Sequence, residues 1–152
     1  MVKIIEGNLF DTKADIICHQ CNCQGVMGSG VAAEVKKRYP EVFKAYREDF
    51  EEGKLVLGYV NFAEAKTGQI IANLCGQEKY GYDGKQYTHY EELQECFHKV
   101  VAYAEKLEKR PVIAFPYLMS CHRGGGDWNV VSKMIEDTFQ EFDVEIRRLK
   151  AE

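Results

Sequence analysis

The sequence lacks any run of about 18 consecutive apolar residues, the length that a membrane-spanning helix needs. Its N-terminal stretch also lacks the long apolar segment and cleavage site of a secretory signal, so we expect a cytoplasmic protein. Positive charge is not in excess, because 20 Lys and Arg residues stand against 24 Asp and Glu residues. That balance argues against general nucleic-acid binding, although backbone amides can still bind an anionic small ligand.

Internal repeats, low-complexity segments and linkers are also missing. The chain has 152 residues, of which 45% are hydrophobic and 29% are charged, and this composition excludes global disorder. A chain of this length can bury a core without cross-links. We therefore expect one domain over residues 1–152.

The cysteines permit two interpretations. There are six: Cys18, Cys21, Cys23, Cys75, Cys96 and Cys121. Without an export signal, reduced thiols are favoured, with Cys18 as a small buried residue of a strand. A zinc or redox site on segment 18–23, which includes His19, is the alternative, and zinc would need a fourth ligand such as Cys121 or His122. We favour the first interpretation and expect no bound metal and no cofactor.

Short strand-like runs alternate with helical patterns along the chain. The expected strands are Val2–Glu6, Asp15–His19, Leu57–Glu64, Gln69–Leu74, Pro111–Phe115 and Val144–Leu149. The expected helices are Val31–Arg38, a segment from Pro40 to Gly53, one from a capping Thr88 to about Lys109, and one capped by Asp127. This alternation predicts an α/β domain with a largely buried central sheet.

Two glycine-rich loops, Gln20–Gly30 and Pro116–Gly126, each follow an apolar strand and precede a helix. Glycines let several backbone N–H groups face one point, and a helix N-terminus adds unsatisfied donors. Ligands of open α/β sheets gather at the carboxyl ends of strands, where both loops are expected. Neither loop is a Walker A or a Rossmann motif. The pair predicts an anion site, with a diphosphate gripped from two sides.

The residues of these loops resemble the macro domain, a family that binds or hydrolyses ADP-ribose. Segment 19–32 (HQCNCQGVMGSGVA) resembles the ribose and diphosphate loop of the branch that includes terminal ADP-ribose glycohydrolases and antitoxin macro domains acting on DNA. Gly7-Asn8-Leu9-Phe10 resembles an early family motif, and Pro116–Trp128 resembles the second phosphate loop. The resemblance implies a mixed six-stranded sheet sandwiched between helices.

The resemblance also implies roles for individual residues. Asn8 would approach the adenine amine, and Asn22 would orient the distal ribose. The ligand-binding residues that it implies are Asn8, Leu9, Phe10, Gly28, Ser29, Gly30, Val31, Gln77, Cys121, Arg123, Gly124 and Gly125. The glycohydrolase relatives use a lysine nucleophile and a second-loop aspartate, whose positions hold Gln77 and Gly124 here, so a lysine adduct is not expected.

Hydrolysis at an anomeric carbon needs a base that activates water. We expect the catalytic residues to be Asn22, Asp127 and His19, although a helix cap is the simpler role for Asp127 and a structural hydrogen bond the simpler role for His19. The expected function is binding of ADP-ribose or an ADP-ribosylated macromolecule, with hydrolysis of the terminal linkage. The alternatives are a binding module without catalysis and a Cys/His metal or redox protein.

Overall fold

The computed structural model describes residues 1–81, 85–121 and 124–149. The strands within these ranges are β1 (Val2–Glu6), β2 (Ile16–Cys21), β3 (Val60–Glu64), β4 (Ile70–Cys75), β5 (Val112–Pro116) and β6 (Asp143–Arg148). The helices are α1 (Gly30–Arg38), α2 (Pro40–Glu51), α3 (Tyr90–Glu105) and α4 (Trp128–Thr138), and Leu9–Asp11 forms a short 3-10 turn.

The six strands form one sheet in the order β1-β6-β5-β2-β4-β3. Only β3 runs against its neighbour, and the other adjacent pairs are parallel. Five strands therefore end at the same edge of the sheet, which is where ligands bind in open α/β folds. The expected mixed six-stranded sheet is confirmed.

Helices cover both faces of this sheet. On one face α3 and α4 pack through Phe97, Phe115 and Phe139, whose rings meet edge to face at centroid distances of 5.2–5.7 Å. On the other face α1 and α2 bury Val35 and Tyr46. Burying one such side chain contributes about 1.5–3 kcal/mol, so packing on both faces stabilises the sheet between the two pairs of helices.

The helix that was expected to begin at Thr88 has a different start. His89 is the N-cap of α3 and makes no side-chain capping bond. The Thr88 hydroxyl instead donates to the carbonyl of Ser120 at 3.0 Å, so a tertiary contact takes the group that the capping box would use. The helix also ends at Glu105, before the expected end near Lys109, and Leu107 beyond it is 39% exposed.

The cysteines of segment 18–23 do not converge. Cys18 packs in the layer of α3 and α4, whereas Cys21 and Cys23 pack in the layer of α1 and α2. Residues three apart on a strand point to opposite faces, so the sheet itself separates Cys18 from the others. Residues 1–81, 85–121 and 124–149 hold no cluster of three or more His, Cys, Asp or Glu side chains suited to a metal ion. The zinc alternative therefore has no support in the described structure.

All six cysteines are free thiols. Among the described residues, no helix is both long enough and apolar enough to cross a membrane.

Candidate functional site

A cavity of about 760 Å³ opens at the carboxyl edge of the sheet. Its size is typical of sites for small molecules and cofactors. The lining comes from five parts of the chain: the β1–β2 connection, the end of β2 with the loop after it and the start of α1, the loop after β4, the loop after β5, and the end of β6. The residues of the first two parts are Gly7, Asn8, Leu9, Phe10, His19, Gln20, Cys21, Asn22, Val26, Gly28, Ser29, Gly30, Val31, Ala32 and Glu34. The remainder are Gln77, Tyr80, Pro116, Tyr117, Leu118, Met119, Ser120, Gly124, Arg147 and Leu149.

Asn22 organises the loop after β2. Its Oδ1 accepts hydrogen bonds from the backbone N–H groups of Gln24 (2.9 Å) and Val26 (3.4 Å), and its Nδ2 donates to the carbonyl of Val26 (2.9 Å). The Tyr46 hydroxyl also donates to Oδ1 at 3.0 Å. The Asn22 amide therefore holds the loop in shape, and one N–H of its Nδ2 is the group left to meet a ligand.

The start of α1 presents glycine backbone to the cavity. Gly30 has a φ of +59°, and a Cβ placed there would meet no atom within 4 Å. Gly28 has no left-handed φ, and its Cβ would lie 3.5 Å from Val26, an ordinary contact. Space beside both residues is therefore open, and the unsatisfied N–H groups of a helix N-terminus face it, as in anion sites.

The loop after β5 carries backbone strain beside the cavity. Leu118 and Ser120 have φ values of +60° and +71°, in a region that residues with a side chain rarely adopt. The Ser120 carbonyl accepts from Gly126 N (2.8 Å) and from the Thr88 hydroxyl, and the Ser120 hydroxyl donates to Gln20 (2.8 Å). Such strain persists only where surrounding contacts enforce it, and it is common at ligand clamps.

The glycines of the second loop are required for close packing within the protein, in addition to any contact with a ligand. A Cβ on Gly124 would clash with Thr88, the Ser120 carbonyl and Gln20, and a Cβ on Gly125 would clash with the backbone of residues 85–86. Gly124 lines the cavity but Gly125 does not. The sequence pattern that suggests a phosphate cradle is thus also required by the contact between this loop and the segment before α3.

Four polar side chains, Gln20, Gln77, Thr88 and Ser120, form a cluster that joins both loops to β2. Gln20 Nε2 donates to Gln77 Oε1 (2.6 Å) and to Thr88 Oγ1 (2.9 Å). Gln77 Nε2 donates to the carbonyl of Lys79 (2.7 Å), so both ends of the Gln77 amide are engaged. Gln77 occupies the position where glycohydrolase relatives are expected to carry lysine, and here it anchors a loop.

His19 lies at the cavity wall, and only 1% of its surface is exposed. Its Nε2 is 2.5 Å from Asn73 Oδ1, and Cys21 Sγ lies 3.6 Å from the same nitrogen. Burial lowers the pKa of His19 to about 4, against an opposing effect of the Asn73 hydrogen bond. The imidazole is therefore neutral at physiological pH and keeps a lone pair.

Arg147 brings a positive charge to the other end of the cavity. Its Nε and Nη2 each lie 3.0 Å from Glu145 Oε1, which also accepts from the Thr12 hydroxyl at 2.6 Å. The side chain of Arg147 is only 16% exposed. Asn8 lies nearby in the lining, and its Oδ1 accepts from the backbone N–H of Phe10 at 2.9 Å.

The structure gathers most of the residues that the sequence singles out. The cavity lining includes Asn8, Leu9, Phe10, His19, Asn22, Gly28, Ser29, Gly30, Val31, Gln77 and Gly124. Cys121, Gly125 and Asp127 are not in the lining. Asp127 is exposed and caps α4 through a 2.8 Å hydrogen bond from Asn129 N. Arg123 and His122 lie outside the described residues.

Several lining residues escape the sequence patterns. Gln20 and Ser120 lie within the two glycine-rich loops, but the resemblance assigns neither of them a role, and no expected motif includes Arg147. A signal for Arg147 exists, because Glu145 stands two residues earlier and therefore on the same face of the strand. Gln20 has no comparable signal, since its partners come from three distant segments.

The sequence profile of the Macro domain family matches residues 18–135, which is most of the chain and includes both glycine-rich loops. The chain therefore belongs to the macro domain family. The resemblance drawn from segment 19–32 is confirmed by this match.

The relatives include proteins named as glycohydrolases and proteins named as phosphatases. A Mycobacterium tuberculosis protein named DNA ADP-ribosyl glycohydrolase is 34% identical over 70 residues, which cover 46% of this chain and 19% of that protein. This chain thus spans only about a fifth of the mycobacterial protein's length. A Candida albicans protein named ADP-ribose 1''-phosphate phosphatase is 25% identical over 152 residues, covering 94% of each chain.

Solved structures share the fold. The macrodomain of Mycobacterium tuberculosis DarG superposes with a TM-score of 0.85 at 23% identity, and 97% of each chain is covered. Thermosipho africanus DarTG in complex with ADP-ribose gives a TM-score of 0.82 at 18% identity, covering 99% of this chain and 42% of that one. At these identities the likeness establishes the fold.

Proposed function

We propose that this domain binds ADP-ribose in the cavity at the carboxyl edge of the sheet and hydrolyses a bond at the distal ribose. The diphosphate lies against the start of α1, between Gly28–Val31 and the loop after β5. The adenine lies toward Asn8 and Arg147, and the distal ribose lies toward Asn22 and His19. The open space beside Gly28 and Gly30 is the observation that carries this placement.

The names of the relatives support ADP-ribose as the ligand and a group attached to it as the part that is removed. The names DNA ADP-ribosyl glycohydrolase and ADP-ribose 1''-phosphate phosphatase each refer to a group attached to ADP-ribose, DNA in the first and phosphate in the second. A structure neighbour contains ADP-ribose itself. We therefore infer a macromolecule or a small group linked to ADP-ribose as the substrate, and ADP-ribose as the product.

Within the described part of the lining, His19 and Glu34 are the two residues with a lone pair that can accept a proton from water. Glu34 lies one turn into α1 and is paired with Arg38 at 3.1 Å, with about half of its side chain exposed. His19 is buried and neutral, so we propose that it acts as the base while water bonds to the anomeric carbon and the leaving group departs. Among the described residues, no lysine lines the cavity, which favours water over a lysine nucleophile.

Phosphatase activity on ADP-ribose 1''-phosphate is the second candidate. One observation favours it: the Candida albicans relative matches this chain over 94% of both lengths, whereas the mycobacterial glycohydrolase matches over 19% of its own length. In this reaction water would bond to phosphorus and ADP-ribose would leave. A cytoplasmic location fits both candidates, because six free thiols persist best in a reducing compartment.

Calorimetric titration with ADP-ribose, ADP and ribose 5-phosphate tests the binding proposal. ADP-ribose is expected to bind more tightly than either fragment, because only ADP-ribose spans from Asn8 to Asn22. Release assays then use ADP-ribosylated DNA, ADP-ribosylated protein and ADP-ribose 1''-phosphate. Tight binding of ADP-ribose with no release from any of the three would establish a binding module in place of a hydrolase.

A further inference from the structure

A chain of polar side chains crosses three neighbouring strands beneath the cavity. His19 on β2 is the register partner of Asn73 on β4, and Asn73 is the register partner of Asn61 on β3. The chain ends at Asp49 of α2, whose Oδ2 accepts from Asn61 Nδ2 at 2.6 Å. Asn73 Nδ2 donates to Asn61 Oδ1 at 2.8 Å, and Asn73 Oδ1 faces His19 Nε2.

These groups lie in the interior, where an unpaired amide is costly. Asn73 is fully buried and Asn61 is 5% exposed. Every buried side-chain nitrogen and oxygen of the described residues has a hydrogen-bond partner. Losing one such partner costs about 1–3 kcal/mol, so the orientation of each amide is tied to that of its neighbour.

Asp49 determines which side chain donates in each hydrogen bond of this row from Asp49 to His19. A carboxylate only accepts hydrogen bonds, so Asn61 must turn its NH₂ group toward Asp49 and its oxygen toward Asn73. Asn73 must then turn its own NH₂ toward Asn61 and its oxygen toward His19. An oxygen facing Nε2 requires a proton on Nε2, which leaves the lone pair on Nδ1.

The surroundings of Asp49 reinforce this direction. The Tyr59 hydroxyl donates to Asp49 Oδ2 at 2.6 Å, and Lys54 Nζ lies 3.9 Å from Oδ1. Burial, together with the hydrogen bond to Asp49, raises the pKa of Tyr59, so its hydroxyl stays a donor. In the described part of the chain, the side chains that contact the Asp49 carboxylate are all donors, so none of them competes with it as an acceptor toward Asn61.

We propose that Asp49 is a positioning residue that acts through Asn61 and Asn73 to hold His19 as the Nε2–H tautomer, with Nδ1, which lies 3.8 Å from Cys21 Sγ, as the acceptor of the ring. The tautomer follows from the hydrogen-bond chain alone. The use of Nδ1 as a base toward water at the distal ribose rests on the proposed function. The effect resembles that of the carboxylate in a Ser-His-Asp triad, but two amides carry it across the sheet.

The ring nitrogens of His19 report the tautomer directly. The chain has four histidines, so ¹⁵N spectra of the imidazole rings are simple, and His19→Gln assigns the signals of His19. In the unchanged protein at pH 7 we expect one protonated nitrogen, assigned to Nε2 by its couplings to the ring carbons' protons. A protonated Nδ1 would overturn the proposal.

Asp49→Asn tests the origin of the direction. An amide can offer either its oxygen or its NH₂ group to Asn61, so the chain loses its fixed direction and His19 is expected to populate both tautomers. Glu48→Gln is the matched control, because it makes the same charge change at an exposed residue one position away on α2. A single Nε2–H tautomer in Asp49→Asn would overturn the proposal.

A second variant covers the case in which Asp49→Asn does not fold. Asn61→Ala interrupts the row of hydrogen bonds between Asp49 and His19 while Asp49 stays in place. The same mixing of His19 tautomers is expected. For turnover, the proposal predicts unchanged ADP-ribose affinity and a fall in kcat of about tenfold or more in either variant, since a positioned base contributes about 10²–10⁴-fold.

The two proposals fail in different ways. If the protein binds no ADP-ribose but Asp49→Asn mixes the tautomers, the proposed function fails and the positioning role of Asp49 stands. If the protein binds ADP-ribose and releases it from substrates, but the tautomer of His19 is the same in Asp49→Asn, only the positioning role of Asp49 is contradicted.

Discussion

The hydroxyl of Tyr46 on α2 donates to both the backbone carbonyl of Asn22, at 2.6 Å, and its side-chain Oδ1, at 3.0 Å. Tyr46 is fully buried, so this contact ties the loop after β2 to a rigid helix in the interior. The loop that faces the proposed distal ribose is therefore positioned from beneath, and its shape is set by the core of the domain.

Tyr46→Phe removes these two hydrogen bonds and keeps the ring. We expect the free energy of unfolding to fall by about 1–3 kcal/mol, because a buried carbonyl loses its partner. ADP-ribose affinity is expected to fall as well, since the loop is no longer held. Urea unfolding and calorimetry measure the two effects. Tyr103→Phe is the control, because Tyr103 stacks on Phe62 and does not line the cavity.

Asn22→Ala is expected to behave like Tyr46→Phe, with losses in stability, affinity and turnover together. The alternative expectation, in which turnover falls far more than affinity, treats Asn22 as a residue that only orients the sugar. The hydrogen bonds from Asn22 to its own loop favour the first outcome. A variant with full affinity and lost turnover would contradict the loop-anchoring role.

Gly28 offers a clean test of the diphosphate placement. Because its φ is not left-handed and its Cβ would make only an ordinary contact, Gly28→Ala should fold with unchanged melting temperature, and the melting temperature of Gly28→Val shows whether the larger side chain also fits. Each side chain would occupy cavity space, so ADP-ribose affinity is expected to fall from Gly to Ala to Val. Gly30→Val is less informative, because a φ of +59° adds backbone strain. Equal affinities across the Gly28 series would rule out this loop as the diphosphate site.

Asn8 allows the base end of the ligand to be tested. Its Oδ1 is occupied by Phe10 N–H, so Nδ2, a donor, is the atom available to the base. Asn8→Asp replaces this donor with an acceptor for the adenine amine and is expected to tighten ADP-ribose binding by about 1 kcal/mol. The inosine counterpart carries an oxygen in place of that amine and should bind the variant more weakly. If Asn8→Asp changes the affinity for ADP-ribose and for its inosine counterpart in the same direction, Asn8 does not contact the base.

Local patterns predict the elements of this fold well. β1 has the bounds that the sequence indicates, and β2 is buried along nearly its whole length, as its mostly apolar sequence suggests. Glycine-rich loops after β2 and β5 could be placed together because parallel strands end at one edge of the sheet. The outline of the cavity is therefore available from sequence.

Contacts between distant segments are not available from such patterns. Asn73 stands opposite His19, and Asn61 stands opposite Asn73, only because of strand register, although they are 54 and 42 positions away from His19 along the chain. Thr88 is a case in which a local pattern is present but is not used. Its spacing is that of a capping box, but its hydroxyl donates to the carbonyl of Ser120 instead. Local propensity yields to tertiary contacts wherever a polar group has a buried partner.

Asp127 is expected to be a cap alone. Its side chain accepts from Asn129 N–H, and it is exposed outside the cavity lining. Asp127→Asn keeps the capping oxygen, so turnover and stability should both be retained, whereas Asp127→Ala should lose about 1 kcal/mol of stability. Urea unfolding and the release assays compare the two variants. A large loss of turnover in Asp127→Asn with full stability would return Asp127 to the catalytic set.

The low pKa of His19 gives an acid-stability prediction. Burial lowers this pKa to about 4 in the folded protein, below the ordinary value of 6.5. Between these two values the unfolded chain binds a proton that the folded chain does not, so stability falls as the pH falls from about 6.5 to 4. The difference amounts to about 3 kcal/mol at most.

His19→Gln isolates this contribution from the other groups that titrate in acid. Glutamine can donate to Asn73 Oδ1 but does not titrate, so the variant should lose less stability than the unchanged protein over this pH range. Urea unfolding of both proteins at pH 7, 6, 5 and 4 gives the difference. Parallel pH profiles would mean that His19 takes up its proton in the folded state near its ordinary pKa. In that case the imidazole would be a cation at mildly acidic pH, and its proposed role as a neutral base would be confined to pH values above 6.5.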